Sequence, residues 1–108
     1  MTVKELALAL DLNIVCMPDG DRTVTGGYAG DLLSWVMGRA NSGDAWVTIM
    51  SNVNIVAVAS LADPSCIILS EGVQLDDGVI QKAKDVGVNI LGSAKDTFLL
   101  CADISKLI

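Results

Sequence analysis

Hydrophobic and polar positions along this chain follow two patterns, short continuous apolar runs and apolar residues spaced three or four apart. The continuous runs are typical of buried strands and predict strands over residues 12–17, 46–50, 65–69 and 88–91, with a short one over 23–25. The helical spacing predicts helices over residues 3–10, 31–40, 53–62, 76–86 and from about 93 to 106. Because strands and helices alternate, we predict one α/β domain over residues 1–108, with helices on both faces of a mostly parallel sheet.

Local signals agree with these boundaries. Thr2 and Glu5 have the spacing of a capping box at the start of the first helix. The Asp63-Pro64 pair ends the third predicted helix, and Gly87 follows the fourth, which has acidic residues first and lysines later. Each predicted helix is therefore supported by at least one end signal or by its apolar spacing.

The composition predicts association with a second copy. Hydrophobic residues make up 52% of the 108 residues and charged residues only 19%, so one core of this size does not hide all the apolar surface. The last helix carries more apolar residues than one face can bury, namely Phe98, Leu99, Leu100, Cys101, Ala102, Ile104, Leu107 and Ile108. We therefore expect a homodimer that uses this helix or the helix over 31–40.

Charge and residue types argue against several function classes. A net charge of −6 does not favour nucleic-acid binding, and the chain has no histidine for a Ser-His-Asp or Cys-His arrangement. It has no P-loop motif, and Cys16, Cys66 and Cys101 are too far apart for a C-x-x-C metal or redox site. We expect no enzyme activity, catalytic residue, cofactor or metal, and reduced buried cysteines.

The longest uncharged stretch, residues 45–62, has Ser51-Asn52-Val53-Asn54 at its middle and therefore does not suit a bilayer. No signal-peptide pattern precedes the first helix. We expect a cytoplasmic protein that does not enter a membrane.

A glycine-containing stretch, Asp21-Arg22-Thr23-Val24-Thr25-Gly26-Gly27-Tyr28-Ala29-Gly30-Asp31, is the first candidate site. Backbone N–H groups ahead of a helix bind anions, and Arg22 would add a bidentate contact. The candidate ligand-binding residues here are Arg22, Thr25, Gly26, Gly27 and Tyr28. The alternative is a structural turn in which Asp31 caps the following helix and Arg22 pairs with Asp19, Asp21 or Asp44. The residues alone leave both alternatives open.

Polar residues after two neighbouring strands form the second candidate region. In open α/β sheets ligands bind beyond the carboxyl ends of the strands, where Asn52, Asn54, Glu71 and Gly72 are expected. The alternative is that these residues only cap helices and make turns. Between the two, we expect Asn54 to cap the third helix and Asn52 to contact a ligand.

The order of these motifs resembles the DRTGG domain family. The resemblance rests on Lys4-Glu5-Leu6-Ala7, the Asp21–Gly27 motif, Gly30-Asp31-Leu32-Leu33-Ser34, residues 54–59 and residues 66–72. It implies an α/β domain like the N-terminal domain of HPr kinase/phosphorylase. It also implies a regulatory role, because such domains help to build the dimer beside nucleotide-binding CBS pairs in some family-II inorganic pyrophosphatases, which adenine nucleotides regulate. Small stand-alone members occur in anaerobic bacteria, and some of them are encoded near iron-only hydrogenase subunits.

This chain lacks the kinase, pyrophosphatase and CBS segments, so the resemblance carries none of those activities. It implies a non-enzymatic, homodimeric regulatory module that senses a small phosphorylated ligand such as an adenine nucleotide. The alternative is a ligand-free assembly module that docks on an enzyme complex, for example one associated with a hydrogenase.

Overall fold

A five-stranded sheet forms the middle layer of the molecule, described over residues 1–108 by a computed structural model. The strands are β1 (Asn13–Cys16), β2 (Gly26–Ala29), β3 (Asp44–Thr48), β4 (Cys66–Leu69) and β5 (Ile90–Gly92). They lie in the order β1-β5-β4-β3-β2, and only β1 runs antiparallel to its neighbour. The prediction of a mostly parallel sheet is therefore confirmed.

Five helices cover the sheet: α1 (Val3–Ala9), α2 (Leu33–Arg39), α3 (Asn54–Ala62), α4 (Asp77–Val86) and α5 (Thr97–Ser105). Buried residues of α1 and α5 share one core, and those of α2, α3 and α4 share the core on the opposite face. The predicted α/β/α layering is confirmed. No helix reaches the length and apolar content needed to cross a bilayer.

The central strands explain why both faces are covered. Along β4, Ile68 packs into the core under α1 and α5, whereas Ile67 and Leu69 pack into the other core, and all three are fully buried. Successive side chains of a strand point to opposite faces, so an apolar strand of this kind needs helices on both sides. Burying each such side chain contributes about 1.5–3 kcal/mol to folding.

The helix ends follow two of the sequence signals. Thr2 Oγ1 accepts the N–H of Glu5 at 3.1 Å, and Glu5 Oε1 accepts the N–H of Thr2 at 2.9 Å, which completes the predicted capping box. Gly87 has a φ of 78° at the end of α4, a left-handed conformation that glycine adopts without a steric penalty.

Several boundaries differ from the predictions, and β3 and β5 are displaced by one or two residues from the predicted 46–50 and 88–91. The second strand lies at Gly26–Ala29 rather than at 23–25, where Thr23 forms only a single bridge with Thr2. Asp31 does not cap α2, because its Oδ1 accepts Thr48 Oγ1 at 2.8 Å and the N–H of Ile49 at 2.9 Å. α5 begins at Thr97 rather than at about residue 93, and its N-cap is Asp96. The shifted second strand and the position of Asp31 share a cause. Residues 26–29 pair with β3, and this pairing brings Asp31 next to the end of β3 instead of the start of α2.

Candidate functional site

Residues 17–25, here called the crossing segment, connect strands at opposite edges of the sheet and run past the amino ends of β5, β4 and β3. Asn89, just before β5, accepts the N–H of Asp19 at 2.9 Å and donates to its carbonyl at 2.7 Å. Ser65, just before β4, donates to the carbonyl of Thr23, and the N–H of Thr25 donates to the carbonyl of Gly43. The crossing segment is therefore held by buried polar side chains just before β5 and β4 and by a backbone hydrogen bond just before β3.

Arg22, a residue of the crossing segment, binds the C-terminal end of α3. Its Nη1 lies 2.8 Å from Asp63 Oδ1, and its Nη2 donates to the carbonyl of Asp63 at 2.7 Å. Asp63 ends α3 in a left-handed conformation with a φ of 63°. Hydrogen bonds from Arg22 and Ser42 hold the pKa of this carboxyl below its ordinary value.

The sequence interpretation named the wrong carboxylates as partners for Arg22. Asp21 pairs with Lys4 at 3.4 Å, and buried Asp44 accepts the N–H of Asn41 at 2.8 Å. The true partner, Asp63, follows 41 residues later in the chain, a distance at which no local pattern shows the pair.

The glycine pair lies in β2 and not in a loop directly ahead of a helix. A Cβ on Gly26 would lie 2.7 Å from Asp44 Oδ1, a steric clash, whereas a Cβ on Gly27 would lie 3.6 Å from the carbonyl oxygen of Ala45. Tyr28 packs over Gly30, where a Cβ would meet the ring at 3.0 Å. A Cβ on Gly26 would therefore force the Asp44 carboxylate to move, and a Cβ on Gly30 would require a small shift of the Tyr28 ring.

A groove of about 420 Å³ lies between β2 and the C-terminal part of α5. Its floor consists of small and medium side chains from β2 and β3, and its wall comes from α5 and the residues after it. The lining is uncharged and consists of Thr25, Gly26, Gly27, Tyr28, Ala29, Ala45, Val47, Cys101, Ile104, Ser105 and Ile108. Four of the nine candidate ligand residues, Thr25 to Tyr28, thus lie together.

Arg22 lies elsewhere, beside a separate polar cleft of about 140 Å³ between the ends of α3 and α4. The residues of α5 that form the groove wall were not among the candidates. The sequence signal that could have found them is the excess of apolar positions on the last helix.

Asn52 and Asn54 lie beyond the carboxyl end of β3, at the end of the sheet away from the crossing segment. Asn52 Oδ1 accepts the N–H of Asn54 at 2.9 Å, and Asn54 is the first residue of α3. The predicted cap is wrong, because Asn54 is the first residue of the helix and its N–H is bound by Asn52. The predicted ligand contact of Asn52 stays a prediction. Both side chains are exposed.

Glu71 and Gly72, beyond β4, join that strand to the start of α5. Glu71 Oε2 accepts the N–H of Thr97 at 3.0 Å, and the N–H groups of Glu71 and Gly72 donate to the carbonyls of Lys95 and Ser93. Both residues have positive φ, 61° and 71°. The structure thus distributes the nine candidates over three places: the groove, the end of the sheet where the parallel strands begin, and the end where they finish.

No three His, Cys, Asp or Glu side chains cluster as metal ligands would, and every buried polar side-chain atom has a hydrogen-bond partner. Burial raises the pKa of the Cys66 thiol to about 12 and also raises the pKa of Cys101, the half-buried thiol in the groove. Neither thiol is therefore activated as a nucleophile.

No protein-family profile matches the chain, and no curated protein matches it. Its fold is similar to the CBS and DRTGG domains of the regulatory region of Clostridium perfringens pyrophosphatase, solved in complex with the activator diadenosine tetraphosphate. The TM-score is 0.70 at 14% sequence identity, and the match covers 91% of this chain and 43% of that one. The likeness shows a related fold, and this chain spans less than half the length of that structure.

Proposed function

We propose that this chain is a regulatory module that controls a partner enzyme by binding to it, as a homodimer, and catalyses no reaction itself. The observation that carries the proposal is its fold, which is similar to that of a regulatory region. The uncharged groove and the raised thiol pKa values also favour binding over catalysis.

Exposed apolar side chains on two helices support association. Phe98 on α5 is 81% exposed and is followed by exposed Leu99, and Trp35 on α2 is 51% exposed beside Leu32. Trp35 is stacked under Arg39, with the guanidinium carbon 3.6 Å from the ring centroid. Tryptophan and arginine are the side chains that most often dominate the binding energy of protein interfaces.

Light scattering on the purified chain tests the assembly part of this proposal. The expected result at tens of micromolar is a mass of about twice the 11.3 kDa of one chain. A monomer mass throughout the concentration range contradicts the homodimer.

A second candidate function is an adenine-nucleotide response. It is supported by the similar fold of a region solved with diadenosine tetraphosphate and by the meeting of Thr25, Gly26, Gly27 and Tyr28 at one groove. The uncharged lining suits the base and ribose of a nucleotide, with the phosphates directed to solvent. Arg22, engaged by Asp63, offers no free guanidinium to them.

A thermal-shift series with AMP, ADP, ATP, diadenosine polyphosphates and sulfate tests this second candidate. A nucleotide at a hundred times its Kd stabilises the folded state by about 2.7 kcal/mol, a clear rise in Tm. Arg22→Ala is the comparison variant, and we expect it to respond as the wild type does if the groove is the site. An unchanged Tm with every nucleotide rejects the candidate without affecting the homodimer.

A further inference from the structure

The two edges of the sheet differ in how they are protected against pairing with another strand. At the β1 edge the register shifts between Ile14 and Cys16, a bulge that interrupts regular pairing. The β2 edge, Gly26-Gly27-Tyr28-Ala29, pairs only with β3 and has no bulge, proline or charged residue. Natural proteins normally block such an edge, so the β2 edge has the features of a binding edge.

The groove lies directly beside this unprotected edge. Gly27 and Ala29 face it from β2, and because they carry no more than a methyl group they leave its volume of about 420 Å³ open. A groove between a strand edge and a helix is the arrangement in which extended peptides bind by adding a strand. Main-chain hydrogen bonds then supply affinity, and alternate side chains enter the groove.

The size of the β2 side chains bears on which strand the edge accepts. If β2 paired with β2 of a second copy, the side chains brought to each groove would again be glycine and alanine, which are too small to fill it. The lining has no positive charge, exposed Asp31 follows β2 directly, and the net charge of the chain is −6. The occupant should therefore carry large apolar side chains and neutral or basic flanking residues.

We propose that the β2 edge is a docking site for an extended segment of a partner protein, which adds to the sheet as a sixth strand beside the five present. Every second side chain of the segment, large and apolar, enters the groove between β2 and α5. The proposal rests on the proposed docking function and names the surface by which the partner is held.

Selection of random ten-residue peptides displayed on phage, against the full chain, tests the site. Gly27→Val fills the groove from its floor, where a Cβ has ordinary contacts of 3.6 and 3.7 Å. Gly38→Val is the matched control, because Gly38 lies on α2 with open space around its Cα. Ser105→Phe narrows the groove from the helix side and does not alter β2.

We expect enriched peptides in which large apolar residues alternate with neutral or basic ones. Synthetic versions should bind Gly27→Val and Ser105→Phe at least about tenfold more weakly than the wild type, because a tenfold change in Kd is about 1.4 kcal/mol and loss of a buried anchor residue costs at least that. Binding to Gly38→Val should be unchanged. Unfolding midpoints of all three variants should stay near that of the wild type, which separates a filled groove from a misfolded chain.

Three results overturn the proposal: no enrichment, peptides that bind Gly27→Val as well as the wild type, or a wild-type dimer that Gly27→Val converts to monomer. The last result assigns the edge to a second copy. If AMP displaces the peptide, the groove also binds the nucleotide. An NMR titration then decides: the docking site stands if the peptide shifts the β2 amide signals and is rejected if it does not. A dimer by light scattering together with no peptide binding rejects the docking edge and leaves the homodimer in place.

Discussion

At the scale of single residues, the polar side chains of the most recognisable motif hold the chain together. Arg22 binds both the carboxylate and the carbonyl of Asp63, and Asn89 and Ser65 bind the backbone of the crossing segment around it. A helix end leaves carbonyls without helical partners, and at the end of α3 the carbonyl of Asp63 accepts both the guanidinium of Arg22 and the N–H of Gly43. The motif therefore has a structural explanation that needs no ligand.

Arg22→Ala should reduce the free energy of unfolding by about 1–2 kcal/mol. The variant loses a charge-assisted hydrogen bond to a carbonyl and an ion pair with a carboxylate that is more than half exposed, so the loss is moderate. Urea denaturation followed by circular dichroism measures it. Lys82→Ala, which removes an exposed positive charge without an ion pair, is the control and should change stability by less than about 0.5 kcal/mol.

Acid titration gives a second measure of the same contact. Because the folded pKa of Asp63 is depressed, its contribution is present above the unfolded pKa of about 4 and is lost as the pH falls through the lower folded value. Arg22→Ala removes the largest cause of that depression. The stability difference between wild type and variant should therefore shrink below about pH 4, and a constant difference would contradict the assigned partner.

The three thiols should react in an order set by burial. Burial raises the pKa of Cys66 to about 12 and raises those of Cys16 and Cys101, but only Cys101 is partly exposed, in the groove. Ellman's reagent at pH 8 should modify Cys101 first, with Cys16 and Cys66 reacting only on unfolding. Peptide mapping of singly labelled native protein identifies the site, and Cys101→Ser is the control that should remove the early phase. Early labelling of Cys66 would show that the core under α1 and α5 opens locally.

At the scale of elements, the sequence predicted the helices and strands whose signals lie in neighbouring residues. The end signals of α1 and α4 identify their limits to within one residue, because capping and the left-handed Gly87 act over a single turn. β2 was missed because Gly26-Gly27 has low strand propensity and resembles a loop. Its strand conformation comes from pairing with β3, a contact that sequence pattern does not encode. The groove was only partly predicted for the same reason. Its β2 residues were candidates, but its α5 residues were not, because α5 meets β2 only in the folded chain.

The two glycines of β2 should respond in opposite ways to one added methyl group. Gly26→Ala places a Cβ 2.7 Å from Asp44 Oδ1, and buried Asp44 must then move away from the N–H of Asn41, at a cost of about 1–3 kcal/mol. Gly27→Ala meets only ordinary contacts and should be neutral or slightly stabilising, because alanine loses less entropy in a strand. Urea midpoints of the two variants measure the contrast. Equal destabilisation by both would contradict the packing around Asp44.

At the scale of the whole molecule, apolar surface remains exposed on both helical layers, and the layers differ in how it is arranged. On the face of α1 and α5, Phe98 and Leu99 are exposed at the start of α5, and Leu107 and Ile108 are exposed just after its end. On the other face, Trp35 is partly covered by Arg39. An exposed phenylalanine with apolar neighbours gains more from a partner than a tryptophan already covered by a guanidinium. The α5 face is therefore our choice for the dimer interface.

Phe98→Asp combined with Leu99→Asp should convert the dimer to a monomer in light scattering, because a carboxylate in an apolar interface must be buried without a partner. Trp35→Asp, the same kind of change on the opposite layer, is the control and should leave the dimer intact. Phe98 and Leu99 are exposed in one chain, so the folded monomer should lose less than about 0.5 kcal/mol for each of these substitutions. Trp35→Asp should cost about 0.5–1 kcal/mol more, because it also removes the contact with Arg39. With a net charge of −6 on each chain, added salt should screen repulsion and strengthen the wild-type dimer. A dimer that survives the double substitution but dissociates in Trp35→Asp would place the interface on α2 instead.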